Sequence, residues 1–280
     1  MFSNNDIAEY YDTTQNHYEK WWDLKKHHSL HYGIWDEKAR SFGEALENTN
    51  LQLLQAAGIT ASDVVLDAGC GVGGAALFVN RTAGARVTGI SLSDKQVEQA
   101  NAIAAEKGVS EKVQFKTMDF TSTSFPDESF DVVWACESVC HASEKADFIR
   151  ESYRLLRKGG RLVLFDFFLT ERGVEDRNRW IDKWKRTWAV PDFVTKEYFM
   201  DKVRESGFST VENRDYTPNI RKSARRMLYG SMLGVIFSEG YALLHPNVSR
   251  FARDHYKCGY YQYRALRQDL WRYQLIKAVK

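Results

Sequence analysis

Cysteine, net charge and long apolar runs are all scarce in this chain, and each scarcity removes a class of protein. Only four cysteines occur in 280 residues, Cys70, Cys136, Cys140 and Cys258. They are too few and too scattered to frame a disulfide scaffold. Cys136, Cys140 and His141 stand close together, but no second ligand cluster completes a four-coordinate site, so no metal centre is expected. A formal net charge of +2 leaves no whole-protein field to draw in nucleic acid or an anionic membrane. Any partner must be specified by local sites. No apolar run approaches the roughly 20 residues that span a bilayer, and the polar start MFSNNDIAEYYD lacks the apolar stretch of a signal peptide. The expectation is a cytoplasmic protein with neither nucleic acid nor a membrane span among its partners. Internal repeats and low-complexity tracts are absent too.

What is present is enough apolar sequence, 44% of residues against 27% charged, for one large core or a core with a smaller cap. From Val64 to about residue 215, short apolar runs alternate with helical stretches. VVLDAG, RVTGIS, VQFKTM, FDVVWA and RLVLFDFF are the strand candidates, with helices expected near 74 to 83, 94 to 107 and 144 to 157. VRESGF and STVENRDY add a helix and a strand, and LWRYQLIKAVK supplies the last strand. Continuous apolar strands separated by helices imply a doubly wound α/β sheet covered on both faces. The helical excursion from about 217 to 268 is too long for a simple connection and predicts a cap inserted before the final strand. Residues 1–50 are expected to form an N-terminal helical lid, and 51–216 with 269–280 the core.

The first predicted strand ends VVLDAGCGVGG, with Asp67 followed by Gly69, Gly71, Gly73 and Gly74, and then opens a helix. Glycines there let the backbone turn sharply and approach a ligand, while the helix presents free N–H groups. The spacing G-x-G-x-G-G departs from the dinucleotide pattern, and the acid before the first glycine is awkward beside a pyrophosphate but suits an ammonium group. A nicotinamide-dependent oxidoreductase is disfavoured for these reasons. It is disfavoured further because VTGISLSDKQ carries Ser91 where such sheets place a ribose-binding carboxylate.

The D-x-G-x-G-x-G turn, followed in order by GISLSDKQ, MDF, FPDESFDVVWACES and LLRKGGRLVLFDF, resembles the class I S-adenosylmethionine (SAM)-dependent methyltransferases over roughly residues 30 to 215. HYGIWD, GISLS and ESVCH are most similar to the small-molecule branch, which includes tocopherol and sterol C-methyltransferases, geranyl diphosphate C-methyltransferase and cyclopropane fatty acid synthases. The resemblance implies a Rossmann-like, seven-stranded sheet with an antiparallel last strand, SAM as cofactor and S-adenosylhomocysteine as product. It implies that Asp67, Gly69, Cys70, Gly71, Gly73, Ser91, Leu92 and Cys136 surround the cofactor. Gln96 would hold the ribose, Asp119 would accept from the adenine amino group, and Phe120 would lie against the ring. Ser93-x-x-Gln96 equally reads as a helix-capping box, and Asp119 as a loop aspartate capping the next turn.

Ligands in such sheets lie at the carboxyl ends of the strands, which puts WACESVCHASE beside the transferred methyl. Glu137 and His141, matching the E-x-x-x-H that the resembling families carry there, are the candidate catalytic residues, as proton acceptors or charge stabilisers. At a spacing of four they could also pair with each other. In the N-terminal segment Tyr11, Tyr18, Tyr32 and Trp35 are expected to close over the cofactor and face its cation, with ordinary helix packing as the alternative. His27, His28 and His31 read as polar surface rather than metal ligands. The stretches 173 to 194 and 217 to 268 should form an acceptor chamber lined by Trp35, Trp184, Trp188, Phe193, Met227, Tyr229, Met232, Phe237 and Tyr241. An acceptor that is small and largely apolar follows. The other reading of these rings is that they fasten the cap to the sheet. IRKSARR makes one basic helix face, a solvated surface or a handle for an acidic acceptor group. No acidic cluster for a magnesium diphosphate is evident. Transfer to carbon on an isoprenoid-like molecule is favoured, with phenolic oxygen or amine nitrogen as alternatives.

Overall fold

The computed structural model describes residues 2–21, 24–244 and 249–280. Its centre is a seven-stranded sheet formed by β1 (Val64–Ala68), β2 (Arg86–Ser91), β3 (Val113–Thr117), β4 (Phe130–Cys136), β5 (Leu156–Leu169), β6 (Thr210–Asp215) and β7 (Trp271–Val279), in the order β3-β2-β1-β4-β5-β7-β6. The first five strands run parallel, and β7 is antiparallel to both β5 and β6. The order reverses between β1 and β4, so their carboxyl ends open a crevice there.

The linking helices start and stop where local chemistry says they should. Helix α4 (Gly74–Ala83) begins at Gly73 and ends at Gly84, both with positive φ. Helix α5 (Asp94–Glu106) begins at Ser93, whose hydroxyl accepts from the Gln96 amide, and α6 (Lys145–Leu155) leads directly into β5. These bounds match the expected 74–83, 94–107 and 144–157 to within two residues. β5 is longer than RLVLFDFF because Leu156 already pairs with Phe130 and Gly159 N donates to Lys280 O, so the ladder extends backward.

At the N-terminus lie α1 (Asn4–Trp21), the short α2 (Leu24–His27) and α3 (Phe42–Ala57). Helix α3 runs through the boundary expected at residue 50 and packs on β5, β7 and α4. It packs as part of the core, and before it Tyr32 also reaches the sheet, against Phe167, Trp271 and Tyr273. After β5 come α7 (Glu171–Val174), α8 (Trp180–Thr187) and α9 (Lys196–Glu205), and between β6 and β7 come α10 (Arg221–Leu244), α11 (Arg250–Asp254) and α12 (Lys257–Arg267). Helix α12 packs against both α8 and α10, so the two insertions form one helical layer.

That layer is joined to the sheet by rings. Phe167 on β5 meets Trp184, Trp188, Trp271 and Tyr273 edge-on or tilted at 5.2 to 5.5 Å. Trp184 also packs on Phe193 at 4.3 Å. Tilted and edge-to-face rings at such distances add to the burial gain itself. Phe167→Ala should therefore cost about 3–5 kcal/mol. Urea unfolding at constant slope checks this, and a loss under about 1 kcal/mol would show that the cluster closes around the gap.

Candidate functional site

At the carboxyl ends of β1, β2 and β4 lies an open cleft whose empty space, its mouth included, is about 920 Å³. It is walled by Asp67, Gly69, Cys70, Gly71 and Val72 after β1, Ser91, Leu92, Ser93 and Gln96 after β2, and Cys136, Glu137, Ser138 and His141 after β4. Phe120, Trp188 and, from the N-terminal segment, Ile7, Ala8, Tyr11 and residues 28–31 complete it.

The glycine turn is shaped by near contacts. Gly69 and Gly71 have φ of 89° and 52°, a region open mainly to glycine. A Cβ on Gly69 would fall 2.3 Å from the Cβ of Ser138, whose hydroxyl donates to Ala68 O. Gly73 lies behind the cradle, where a Cβ would reach the Phe115 ring at 2.5 Å. Asp67 is almost wholly buried, and among the described residues its Oδ2 has no hydrogen-bond partner. Burial raises its carboxyl to about 7. A buried acid aimed into a cavity with a bare oxygen is suited to a cationic ligand group.

Ser91 and Gln96 are tied together, the Ser91 hydroxyl donating to Gln96 Oε1 at 2.9 Å. That bond orients the side-chain amide so that its NH₂ end is left for a ligand hydroxyl. The capping role also holds, since Ser93 Oγ takes the Gln96 amide; the same hydroxyl donates to Asp12 on α1. Asp119 sits differently from the expectation. Its Oδ1 accepts from Thr121 N and Oγ1, its Oδ2 from Asn4 Nδ2, and it is not part of the cavity wall, although the neighbouring Phe120 is.

Glu137 and His141 stand on a tight segment that includes a 3-10 turn, Val139–His141, and they do not pair with each other. Glu137 adopts φ 54°, strained for a residue with a Cβ. Its Oε1 accepts from Tyr32 N at 2.6 Å and the Tyr273 hydroxyl at 2.7 Å. Burial nevertheless outweighs these bonds and raises its carboxyl to about 8. His141 Nε2 lies 2.9 Å from the Tyr11 hydroxyl and Nδ1 3.3 Å from Ala189 O. A carbonyl can only accept, so Nδ1 carries the proton and Nε2 presents its lone pair to the hydroxyl. Burial lowers this imidazole to about 4, keeping it neutral. Beneath the turn, Lys145 donates to Cys140 O, Ala142 O and Asp192 O, and Asp166 accepts from Cys140 N and Phe167 N.

Several expected residues stand elsewhere. Trp184 and Phe193 are packed in the aromatic layer rather than lining a chamber; of the expected acceptor rings on α8 and its flank, only Trp188 reaches the cavity. Trp35 instead donates from Nε1 to Ser223 Oγ and lies under Lys222. Tyr32 is buried and donates to Gln262 Oε1. Met227 packs partly buried against the core, and Tyr229 and Met232 point into solvent. Tyr18, Phe237 and Tyr241 lie outside the residues whose side chains are described. Conversely, His28 and His31, read as surface, line the cavity, and His31 is buried with its imidazole lowered to about 4. Tyr273 and Lys145 carry no motif of their own, and Ser138 and Asp166 lie within quoted motifs without being singled out by them. Only their position under the E-x-x-x-H turn marks them.

The pattern of residues 66–164 matches the family model described as a methyltransferase domain. The chain is 36% identical over 229 residues to 27-O-demethylrifamycin SV methyltransferase of Amycolatopsis mediterranei, covering 79% of this chain and 82% of that protein. It is 29% identical over 220 residues to the sterol 24-C-methyltransferase of Kluyveromyces lactis, covering 77% of this chain but only 58% of that longer protein. Among solved structures, the [4+2]-cyclase SpnF superposes with a TM-score of 0.82 over 99% of this chain and 96% of its own, at 24% identity. That likeness speaks for the fold, not for the chemistry.

Because the folded chain holds the Glu137 proton up to about 8 and an ordinary glutamate releases it near 4.5, folding favours the protonated form. This contribution is complete below 4.5 and is lost as pH rises to about 8. Over that window the wild type should therefore lose stability relative to Glu137→Gln, read as urea midpoints at successive pH values. Parallel curves would show that the carboxyl is ionised in the native state.

Proposed function

The chain belongs to the SAM-dependent methyltransferases that act on small molecules, and from that premise we propose that its acceptor is a largely apolar natural product methylated on a hydroxyl oxygen. The observation that carries this reading is the neutral His141, whose Nδ1–H is held by Ala189 O and whose single Nε2 lone pair accepts from the Tyr11 hydroxyl on the cavity wall, so that the Tyr11 oxygen takes the acceptor's proton as it passes its own to Nε2.

The residues present fit the cofactor. Asp67 offers the unpartnered buried oxygen that an amino-acid ammonium would satisfy, and such a cation would favour the ionised carboxylate. Gly69 and Gly71 keep the approach free of side chains, and the Gln96 amide stands ready for the ribose hydroxyls. SAM supplies an electrophilic methyl on a sulfonium. The protein's part is to align the acceptor oxygen, exclude water and take up the proton. An alcohol oxygen becomes strongly acidic once alkylated, so even a weak base suffices, and burial, which lowers His141 to about 4, leaves it unprotonated near neutral pH. Glu137, bound to Tyr32 N and Tyr273, holds the wall's shape. Ile7, Ala8, Leu30 and Trp188 give the remaining wall its apolar character, which supports an apolar acceptor. Carbon was the favoured nucleophile from sequence motifs alone; the proton acceptor on the wall shifts the weight to oxygen.

Labelled SAM with a panel of hydroxylated and olefinic apolar acceptors decides the nucleophile, since a product with a new C–CH₃ bond would refute the hydroxyl reading. His141→Ala should lower turnover by about 10²–10⁴-fold while calorimetric SAM affinity stays within about threefold. Equal losses in both would make it a cofactor contact instead. Asp67→Asn should weaken SAM binding at least about tenfold, roughly 1.4 kcal/mol, and unchanged affinity would remove Asp67 from the cradle.

A further inference from the structure

Lys145 is a buried cation in an adverse place. It opens α6, and the first turn of a helix disfavours positive charge. All three of its ammonium protons go to backbone carbonyls, to Cys140 O at 2.9 Å, Ala142 O at 2.6 Å and Asp192 O at 2.8 Å. Burial disfavours the charged form and lowers its pKa, a cost that those bonds have to offset. The residue type follows from the number of carbonyls. An ammonium has three donors and no acceptor, a side-chain amide has two donors, and an apolar side chain has none.

The three carbonyls come from two segments. Cys140 and Ala142 flank His141 on its own turn, and Asp192 ends the stretch 189–192. That stretch supplies Ala189 O, which takes the His141 Nδ1–H. Ala189 is itself buried at φ 49°, a region unfavourable for a residue with a Cβ, so the direction of its carbonyl depends on how the segment is anchored. Val190 N on Lys185 O anchors it on one side of the carbonyl's path and Lys145 on Asp192 O on the other. Two rings also touch the imidazole, Trp188 at 5.2 Å and Tyr11 at 5.4 Å, both edge-on. Ring packing is indifferent to which nitrogen carries the proton. The carbonyl is not, because it can only accept.

We propose that Lys145 is a positioning residue that fixes His141 as its Nδ1–H tautomer, by clasping the His141 turn to the segment whose carbonyl receives that proton. Its consequence for turnover rests on the hydroxyl reading given above. The Tyr11 hydroxyl can pass a proton only to a bare Nε2; an Nε2 that carried the proton would donate to the Tyr11 oxygen instead, and the route would close. Lys145 is not part of the cavity wall, so it acts through the turn and not on a ligand.

The test is a long-range proton–nitrogen correlation spectrum of the full chain with nitrogen-labelled histidine, in which the two ring-nitrogen shifts identify the tautomer. Loss of its signals in His141→Gln assigns His141 among the seven histidines. The wild type should be protonated at Nδ1. Lys145→Met, which removes all three donors, should give a mixture or the Nε2–H form, and Lys145→Gln, which keeps two donors, should shift it less. Turnover of a hydroxylated acceptor should fall about 10–100-fold in Lys145→Met with KM within about threefold. Calorimetric SAM affinity within about threefold reports that each variant is folded. A wild-type His141 protonated at Nε2 overturns the proposal even if neither variant folds. So does an Nδ1–H signal undiminished in both variants, whatever their turnover. A tautomer that shifts while turnover holds supports the clasp and refutes the proton's route through His141, so the two readings fail separately.

Discussion

The carboxyl of Glu137 is the point through which three separate parts of the chain are fastened together. One oxygen accepts from Tyr32 in the N-terminal segment and from Tyr273 on the last strand, while the residue itself caps the end of β4 in a left-handed conformation. Left-handed backbone at a non-glycine residue persists only where its surroundings over-determine it. Here those surroundings include the Glu137 N–H bonded to Phe165 O, and Ser138 pressed against Gly69. The kink is what turns His141 back toward the cavity. Without it the chain after β4 would continue upward, and the glycine turn after β1 would have no opposite wall.

The same arrangement sets the electrical character of the site. Glu137, Asp67 and Asp166 are buried close to β4, and desolvation raises all three, to about 8, 7 and 6. His141 and His31 are driven the other way, to about 4. Near pH 7 this leaves Glu137 mostly protonated, Asp67 about half ionised and both imidazoles neutral, while Asp166 is mostly ionised beside Lys145. A cationic ligand entering beside Asp67 meets an acid that its own charge ionises. The His141 imidazole, lowered by burial, carries no positive charge that would repel such a ligand.

Much of this was legible in the sequence because it depends on backbone. The positive φ at Gly69, Gly71 and Gly73 and the Ser93 cap are written in residue types that have few other uses, and apolar runs placed the strands to within a few residues. The acceptor rings were not legible. Trp184 and Phe193 carry the same side chains whether they line a chamber or seal a layer, and only the positions of β5 and β7 decide that they seal it. Asp119 likewise keeps its motif but bonds to Asn4 across 115 residues, a contact that no local pattern encodes. His31 was misread for the opposite reason. Its cluster of histidines looks like solvated surface, and its burial follows from the Tyr32 amide being drawn inward to Glu137.

The two ends of the cavity are held by interactions of unequal strength. The rear wall rests on stacked and edge-on rings, Phe165 on Tyr273 at 5.0 Å and Phe167 among Trp184, Trp188 and Trp271, where removing one ring opens a gap that cannot collapse freely. The front wall is α1, joined to the motif loops by Asn4 on Asp119, Asp12 with Ser93, Lys95 on Asp12 O and Tyr11 on His141. Each of these is a single polar contact, worth about 0.5–1.5 kcal/mol net. Two of the four, on Ser93 and His141, reach residues of the cavity wall. Helix α1 is thus held partly through residues that line the cavity, whereas the wall behind rests on ring packing.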